Sequence, residues 1–268
     1  MKTFFIIFLF INASLTVYGQ RDTAFHLVRS YNGEIADAAI DNLDNVYILT
    51  ATDQLKKYNS NGDSLAVYNN VRRFGKVSSL DVSNPLKVLL HYKDFASIVI
   101  LDRLLSVRST VDLRKNNLLQ VTAIGQSYDN NIWVFDAYDN KLKKIDEDGR
   151  VLLETPDLRM VFNQAVAPQQ IIDNNKQVYL YDNEAGVFVF DNYGSFKRKI
   201  SITGWSNINI TDKQITGISN GSMQAYNAST LIQSQHKFPG DFTPYYRYSI
   251  SNNKLIALSK QGLSIYRY

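Results

Sequence analysis

A unit of about 40 residues that recurs six times is the feature that most constrains the fold of this chain. Each unit contains a short β-rich run after a turn residue, and successive runs begin 37 to 46 residues apart. The runs are DNVYILTATD (44–53), PLKVLLHYKD (85–94), NNIWVFDAYD (130–139), KQVYLYDNEA (176–185), KQITGISNGS (213–222) and NKLIALSKQG (253–262). Because one such unit cannot bury its own apolar faces, neighbouring units must pack against one another.

A second sequence marker recurs at the same position in each unit. In each unit an apolar or aromatic residue precedes an Asn or Asp and then a turn, except in the last unit, where Arg follows and the chain ends. The pairs are Tyr58-Asn59, Leu101-Asp102, Ile145-Asp146, Phe190-Asp191, Tyr226-Asn227 and Tyr266-Arg267. Two independent markers in one register therefore indicate six units.

Each unit has the composition of four strands. The runs are four to eight residues long, alternate apolar with polar residues and are rich in Val, Ile, Tyr and Phe. The first unit reads GEIADAAIDN, NVYILTA, QLKKYNS and DSLAVYN. This pattern predicts an all-β fold, a six-bladed β-propeller with four-stranded antiparallel blades. The alternative is a β-sandwich with a loose tail.

The two ends of the chain predict how the ring closes. The sixth unit provides three strands before Tyr268, whereas AFHLVRSY (24–31) is a spare strand ahead of the first unit. We therefore expect the N-terminal strand to complete the last blade, which would leave no open sheet edge there.

The N-terminus has the composition of a secretory signal peptide. Lys2 precedes an apolar run from Phe4 to Ile11, which is too short to span a bilayer, and small and polar residues follow as far as Gly19. The sequence thus predicts a signal peptide over residues 1–19, one propeller domain over 20–268, and a periplasmic or secreted protein. A retained N-terminal anchor is the alternative. Beyond this run no stretch of about 18 apolar residues appears, so no further membrane span is expected.

Composition excludes several classes of site. The chain has no cysteine, which excludes disulfides, thiolate metal sites and the lipid-modified cysteine of a lipoprotein. The three histidines lie in different units, which argues against a histidine metal centre on one element. The formal charge is +4 with basic residues scattered along the sequence, and this pattern predicts no nucleic-acid partner. The glycines of TGISNGS (216–222) lie between strands, which indicates a turn. We therefore expect no catalytic, cofactor-binding or metal residues.

The run KKIDEDGRVLL (143–153) places three consecutive acids, Asp146, Glu147 and Asp148, before a glycine. It has two relatives in the same register, YNSNGDSL (58–65) and FDNYGSFK (190–197). All three place Asn or Asp, two polar residues and Gly between strand-like runs, the chemistry of a tight hairpin. Since the ligand spacing of a calcium loop is lacking, a structural turn is favoured over a cation site.

A second group of acids follows the second strand of each of the first four units. We expect the loops between the second and third strands to emerge on one face, so these side chains form a candidate acidic mouth of the central channel. They are Asp53, Asp94, Asp136, Asp139, Asp182 and Glu184. Such a ring would suit Ca²⁺ or the hydroxyls of a sugar. The alternative is a set of solvated turn residues, because Asp is a preferred turn former.

The loop HYKDFAS (91–97) departs from the glycine-containing pattern of the others. It joins His91, Tyr92, Lys93, Asp94 and Phe95, a mixture of aromatic and charged residues that is typical of a protein interface. These five residues are the candidate partner-binding loop. The alternative is that Tyr92 and Phe95 pack between blades.

Three segments carry a resemblance to a known group of proteins. LDVSNPLKVLLHYKDFASIVILDRLLS (80–106), NNIWVFDAYDNKLKKID (130–146) and FDNYGSF (190–196) resemble exported six-bladed propellers of Bacteroidota-type bacteria, and more distantly the periplasmic plug subunit of the type IX secretion translocon. The resemblance implies a cell-envelope protein whose partner is an outer-membrane or other envelope protein. It assigns a role to no individual residue.

Two functional hypotheses follow. The first is a non-enzymatic interaction or scaffold module of the cell envelope. The alternative is a calcium-dependent, lactonase-like hydrolase or a glycan-binding propeller. The enzyme would need acids from the inner strands, and the inner strand DAAIDN offers Asp37.

Overall fold

The computed structural model describes residues 25–69, 71–211, 213–238, 242–251 and 253–268. Within these residues, 24 strands form six antiparallel sheets of four strands each, arranged as a ring of blades. The predicted six-bladed β-propeller is confirmed. The predicted signal peptide, residues 1–19, lies outside the described residues. Within the described ranges, no helix combines the length and apolar character needed to cross a membrane.

The first three blades follow one another along the chain. Blade 1 contains β2 (Ile35–Ile40), β3 (Val46–Thr50), β4 (Leu55–Tyr58) and β5 (Ser64–Tyr68). Blade 2 contains β6 (Ser79–Asn84), β7 (Lys87–Tyr92), β8 (Ser97–Asp102) and β9 (Val107–Asp112). Blade 3 contains β10 (Val121–Gln126), β11 (Ile132–Asp136), β12 (Lys141–Ile145) and β13 (Val151–Glu154).

The remaining blades complete the ring. Blade 4 contains β14 (Gln170–Asn174), β15 (Gln177–Asp182), β16 (Gly186–Asp191) and β17 (Phe196–Ile200). Blade 5 contains β18 (Ser206–Ile210), β19 (Gln214–Ser219), β20 (Ser222–Asn227) and β21 (Gln233–Lys237). Blade 6 contains β22 (Tyr245–Ser251), β23 (Lys254–Ser259), β24 (Gly262–Arg267) and the N-terminal strand β1 (His26–Asn32).

The structure describes the bounds of four short helical turns in the loops. Two are α-helical, α1 (Val71–Phe74) and α2 (Leu158–Phe162), and two are 3₁₀ turns, Lys93–Phe95 and Arg114–Asn116. Asp157 caps α2, because its side chain accepts a hydrogen bond from the backbone N–H of Arg159 at 2.9 Å.

The ring is closed by strand β1, as the sequence predicts. β1 is the outer strand of blade 6 and pairs antiparallel with β24, from His26 opposite Arg267 to Asn32 opposite Gly262. The Tyr31 ring also contacts the Tyr58 ring of blade 1, with centroids 4.9 Å apart. Blade 6 therefore joins the two ends of the chain without a covalent link.

The hydrophobic core is divided among the junctions between blades. The described residues form six apolar clusters, and each cluster draws its side chains from two neighbouring blades. The middle strands are covered on both sides, so all six residues of β7 are buried, including Lys87 and His91. A blade is therefore stable only between its neighbours.

Buried lysines add polar links across several junctions. The ammonium of Lys57 donates to the carbonyl of Arg103 at 2.9 Å, and that of Lys144 contacts Asp129 at 2.9 Å within its own blade and Asn192 O of blade 4 at 3.3 Å. Lys87 of blade 2 donates to Asn130 O of blade 3, and Lys254 of blade 6 pairs with Asp44 of blade 1. Because a buried ammonium is costly without acceptors, these contacts fix the position of one blade against the next.

The acidic run at 146–148 is a turn, as predicted. Asp146 Oδ1 accepts the backbone N–H groups of Asp148 (3.0 Å) and Arg150 (2.9 Å), while Gly149 adopts a positive φ of 89°. Glu147 does more than occupy the turn, because it pairs with Lys87 (3.4 Å) and Arg108 (3.2 Å) of blade 2.

Ring closure by β1 gives the first prediction. A chain that begins at Gly33 should lose the outer strand of blade 6 and melt at least about 10 °C below a chain that begins at Phe25, because several kcal/mol of pairing and packing are removed. Thermal unfolding followed by circular dichroism measures this difference. Equal melting temperatures would show that β1 does not hold the ring closed.

Candidate functional site

The loops emerge on two opposite faces of the ring. Because the strands of a blade alternate in direction, loops between second and third strands share one face with the links between blades. We call this the linker face, and the opposite one, formed by the other hairpins, the hairpin face. Contacts between the loops agree with this arrangement, since Val77 N donates to Asp53 Oδ1 (3.3 Å) and Gly33 N to Gln261 O (3.1 Å).

The linker face is most elaborate around blades 2 to 4. Here the links 113–120 and 155–169 and the loops 93–96 and 137–140 carry three of the short helical turns. Elsewhere on this face, the loops 220–221 and 260–261 and the link 33–34 are minimal. The link between blades 1 and 2 also carries a helical turn, α1, so the elaborated links among the described residues extend from blade 1 to blade 4.

Asp136 organises these loops. It is buried and accepts backbone N–H groups from Gln120 (3.0 Å), Tyr138 (3.2 Å) and Leu119 (3.3 Å), together with the Lys143 ammonium (3.2 Å). Asp139 contacts the same ammonium at 2.6 Å. Burial opposes the charge on Lys143, but its hydrogen bonds and charge interactions with Asp139 and Asp136 outweigh burial and raise its pKa.

The other acids of the predicted channel mouth are dispersed. Asp182 is buried and accepts N–H groups from Ala167 (2.8 Å), Glu184 (2.9 Å) and Ala185 (3.0 Å), and both Asp182 and Glu184 line the channel. Asp53 holds the link between blades 1 and 2, and Asp94 is exposed beside blade 2. Of the six predicted acids, only Asp182 and Glu184 are among the residues that line the channel.

A metal centre finds little support in these positions. In the part of the chain that the structure describes, no three His, Asp or Glu side chains are grouped so that they could hold a metal ion. The carboxylates of Asp136 and Asp182 already accept several hydrogen bonds, so a cation there would have to compete with the backbone.

The candidate partner-binding loop separates into a buried and an exposed part. His91 and Tyr92 lie at the end of β7, and each is 1% exposed. Lys93, Asp94 and Phe95 form a 3₁₀ turn on the surface, where Phe95 is 53% exposed. A partner at this loop would therefore contact the last three residues, while Tyr92 packs in the core between blades 1 and 2.

His91 is held as a neutral side chain. Burial, and then the nearby Lys93 charge, lower the pKa of His91 from 6.5 to about 4. Its Nε2 atom is buried and has no hydrogen-bond partner among the described residues. His91 therefore contributes to the junction as an uncharged group rather than as a proton donor at neutral pH.

Exposed apolar side chains line the linker face around blades 2 to 4. We call them the apolar arc: Phe95, Leu119, Tyr138, Met160 and Val161. Tyr138 is 65% and Met160 80% exposed. Hydrogen bonds join the loops that carry the arc. The backbone N–H groups of Leu119 and Tyr138 both donate to Asp136. The α2 region is bound to the Tyr138 loop by the hydrogen bond from Leu158 N to Asn140 O (2.9 Å).

The hairpin face also exposes apolar residues, among them Leu43, Leu86 and Tyr128 at the inner hairpins of blades 1, 2 and 3. Leu104, Tyr193 and Leu231 lie at the tips of the outer hairpins of blades 2, 4 and 5, respectively. Because single exposed apolar residues are ordinary on protein surfaces, the arc is distinguished by its loops, which hydrogen bonds to Asp136 and Asn140 join together. The apolar arc is thus the stronger candidate site.

The central channel has a volume of about 1390 Å³ and is lined by both polar and apolar side chains. Asp37 was expected to be the only charged residue on the inner strands, but Asp81, Asp173 and Arg247 also lie there. Arg247 pairs with Asp37 at 3.3 Å. Burial raises the pKa of Asp37, and the Arg247 charge opposes that rise.

Polar side chains on the inner strands form hydrogen bonds with the neighbouring blade. Asp81 accepts the N–H of Gln126 at 2.8 Å, and Asp173 accepts the indole N–H of Trp133 at 3.0 Å. Asn207 donates to Tyr248 O at 2.8 Å, and Ser251 donates to Ile40 O at 2.7 Å. These bonds join blades 2–3, 3–4, 5–6 and 6–1 around the channel, so the channel wall is part of the framework. The presence of a polar residue on each of these inner strands was the available sequence signal.

The run from Gly217 to Gly221 has the Gly-x-Ser-x-Gly spacing of a hydrolase nucleophile elbow. In the structure Ser219 ends β19, and a two-residue turn at Asn220 and Gly221 leads into the antiparallel strand β20. A nucleophile elbow instead joins a strand to a helix. The run is therefore a hairpin, in agreement with the predicted turn.

No protein-family model matches the sequence, and comparison with curated proteins finds no match. Solved structures share the fold. A catalytically inactive virginiamycin B lyase from Staphylococcus aureus with quinupristin has a TM-score of 0.60 and 15% identity over 91% of this chain and 88% of that one. The Pan2 WD40 domain of Neurospora crassa has a TM-score of 0.59 and 12% identity over 85% and 73%.

A third similar structure is PorZ, a bacterial surface component of the type IX secretion system of Porphyromonas gingivalis. It has a TM-score of 0.55 and 12% identity, and the match covers 88% of this chain but 31% of PorZ. The three proteins include an enzyme, a WD40 domain and a secretion component. At these identities they establish the propeller fold alone.

Replacing Asp136 tests its role as the loop organiser. Asp136→Ala should lower the free energy of unfolding by about 3 to 5 kcal/mol, because Lys143 would keep one acid partner and three N–H groups would lose their acceptor. The exposed Asp94→Ala variant is the control, with an expected change within about 0.5 kcal/mol. Urea unfolding midpoints measure both, and equal small losses would contradict the assignment.

The buried His91 predicts a pH dependence. The unfolded chain takes up the histidine proton near pH 6.5 and the folded protein near pH 4, so stability from this residue is present above pH 6.5 and is lost as pH falls toward 4. The loss should reach about 3 kcal/mol. His91→Leu should abolish this component in urea titrations at pH 7.5, 5.5 and 4.5. A wild-type-to-variant difference that stays constant with pH would contradict this prediction.

Proposed function

We propose that this protein is a non-enzymatic interaction module of the cell envelope, which docks on an outer-membrane partner through its linker face. The observation that carries the proposal is the apolar arc, Phe95, Leu119, Tyr138, Met160 and Val161, on the elaborated side of that face. Apolar side chains that stay exposed on an otherwise well-packed ring have an energetic reason to be covered by another molecule.

The arc has the composition of an interface centre. It combines aromatic residues and a methionine, which are enriched at protein interfaces, and charged side chains such as Arg114 and Arg159 surround it. Asp136 and α2 hold the supporting loops in place, so little ordering entropy would be lost on binding.

The cell-envelope location in this proposal is supported by the predicted signal peptide and by two resemblances. The predicted signal peptide, residues 1–19, would direct the chain to the periplasm or beyond. The similarity in fold to PorZ, a component of type IX secretion, and the sequence resemblance to a plug subunit support an accessory or plug role in an outer-membrane secretion complex.

A calcium-dependent hydrolase is the competing hypothesis. It would use carboxylates around the channel to hold the cation. The acids Asp81 and Asp173 instead accept hydrogen bonds that join blades, and Asp136 and Asp182 hold loops together. Because these carboxylates already accept hydrogen bonds that hold the fold together, surface binding suits this protein better than cation binding in the channel.

Affinity purification from the native envelope tests the proposal. The tagged wild-type protein should recover a specific outer-membrane protein, identified by mass spectrometry. Tyr138→Ser combined with Met160→Ser should reduce that recovery at least about tenfold, as expected for interface-centre residues. The matched control is Tyr193→Ser with Leu104→Ser, which removes one aromatic and one aliphatic side chain from the hairpin face. Equal recovery by both double variants, or no partner with wild type, would contradict the proposal.

A further inference from the structure

A cluster of basic side chains surrounds Phe95 at one end of the apolar arc. We call it the basic patch: Arg73, Lys76, Lys93, Arg114 and Lys115, all exposed. These residues come from the link between blades 1 and 2, the 3₁₀ turn of blade 2, and the link between blades 2 and 3. Within residues 73–78, 93–95 and 113–117 the sequence contains one acid, Asp94.

Backbone and side-chain contacts hold the three segments together. Lys93 N donates to Ser78 Oγ (3.0 Å), and Leu113 N donates to Ala96 O (2.9 Å). The Arg114 guanidinium reaches Asp94 O at 3.5 Å. The Phe95 ring covers Gly75 so closely that a Cβ on that glycine would lie 2.9 Å from a ring carbon. The basic patch is therefore one continuous surface with Phe95 among its charges.

The charges of the basic patch are available to a partner. The neighbouring acid Asp112 is 4.0 Å from Lys115, and both side chains are largely exposed, so solvent screens that pair. The Arg73 guanidinium lies over the Phe74 ring at 5.1 Å, a contact that leaves its positive charge uncompensated. This surface thus presents excess positive charge around an exposed aromatic ring.

We infer that the basic patch binds an acidic, apolar-containing polypeptide segment of the partner. Carboxylates of such a segment would pair with Lys93, Arg114 and their neighbours, while apolar side chains would cover Phe95 and Leu119. This inference deepens the proposed function and rests on it for its cellular setting.

Two features favour a polypeptide over a nucleic acid or a membrane. The Asp94 carboxylate lies beside Phe95 on the exposed turn, where an evenly spaced row of phosphates could not avoid it, whereas a polypeptide can place an apolar or neutral residue opposite it. The apolar arc also exposes Leu119 and Tyr138, whose backbones share the acceptor Asp136, and this suits a chain with several apolar side chains. Charge complementarity of this kind chiefly provides specificity and speeds association.

Fluorescence anisotropy with a defined probe tests the inference. The probe is a fluorescein-labelled peptide of repeated Glu-Glu-Trp-Glu-Glu-Leu, and its competitors are the peptide with Gln in place of Glu, a single-stranded DNA 20-mer, and phosphatidylglycerol vesicles. The acidic peptide should bind the mature wild-type protein, and its affinity should fall as salt rises. Lys93→Glu with Arg114→Glu, or Phe95→Ala alone, should weaken binding at least about tenfold.

The matched control is Lys237→Glu with Lys260→Glu, which changes the net charge equally at exposed positions on blades 5 and 6. This variant should bind within about twofold of wild type. Equal weakening by both double variants, equal affinity for the Gln peptide, or tighter patch-dependent binding of DNA or vesicles would overturn the inference. Circular dichroism melts confirm that each variant is folded.

The same variants separate this inference from the proposed function. If the basic-patch variants still recover the outer-membrane partner from envelopes, the inference is wrong and the interaction function stands. If wild type recovers no partner but the acidic peptide binds in a patch-dependent manner, the inferred specificity stands and the proposed cellular role is wrong.

Discussion

The burial of apolar side chains between neighbouring blades is the constraint on which the rest of the structure depends. A four-stranded blade has two apolar faces and covers neither by itself, so each is buried only when the ring is complete. The six clusters at the junctions show this division, and β1 completes the last blade without a covalent link. Loss of one contact at the closure therefore affects the whole ring.

Polar side chains also stabilise the junctions between blades. Inner-strand side chains such as Asp81, Asp173 and Ser251 bond to the adjacent blade, and buried lysines such as Lys57 and Lys144 reach its turns. These groups reinforce the junctions because an unsatisfied polar atom there would be costly. The side chains left for function are then on the loops, where the linker face of blades 2 to 4 has the longest connections.

The sequence predicted the fold well because a six-fold repeat and its turn residues are local signals. It was less informative about buried middle strands: residues 87–92, KVLLHY, are buried on both sides and do not alternate regularly. The basic patch was also missed, since Arg73, Lys93 and Arg114 lie about 20 residues apart and meet only through blade packing. Asp136 was identified as a candidate site residue, but its buried contacts with Lys143 and three N–H groups could not be read from its position in a loop.

Site-specific photo-crosslinking in the native envelope shows whether the ring presents its linker face to a partner. A benzophenone amino acid would replace Tyr138 on the linker face or Tyr193 on the hairpin face, two tyrosines that are 65% and 79% exposed. Docking through the linker face should give a discrete adduct with an outer-membrane protein from position 138 and none from position 193. An adduct from position 193 alone would contradict it.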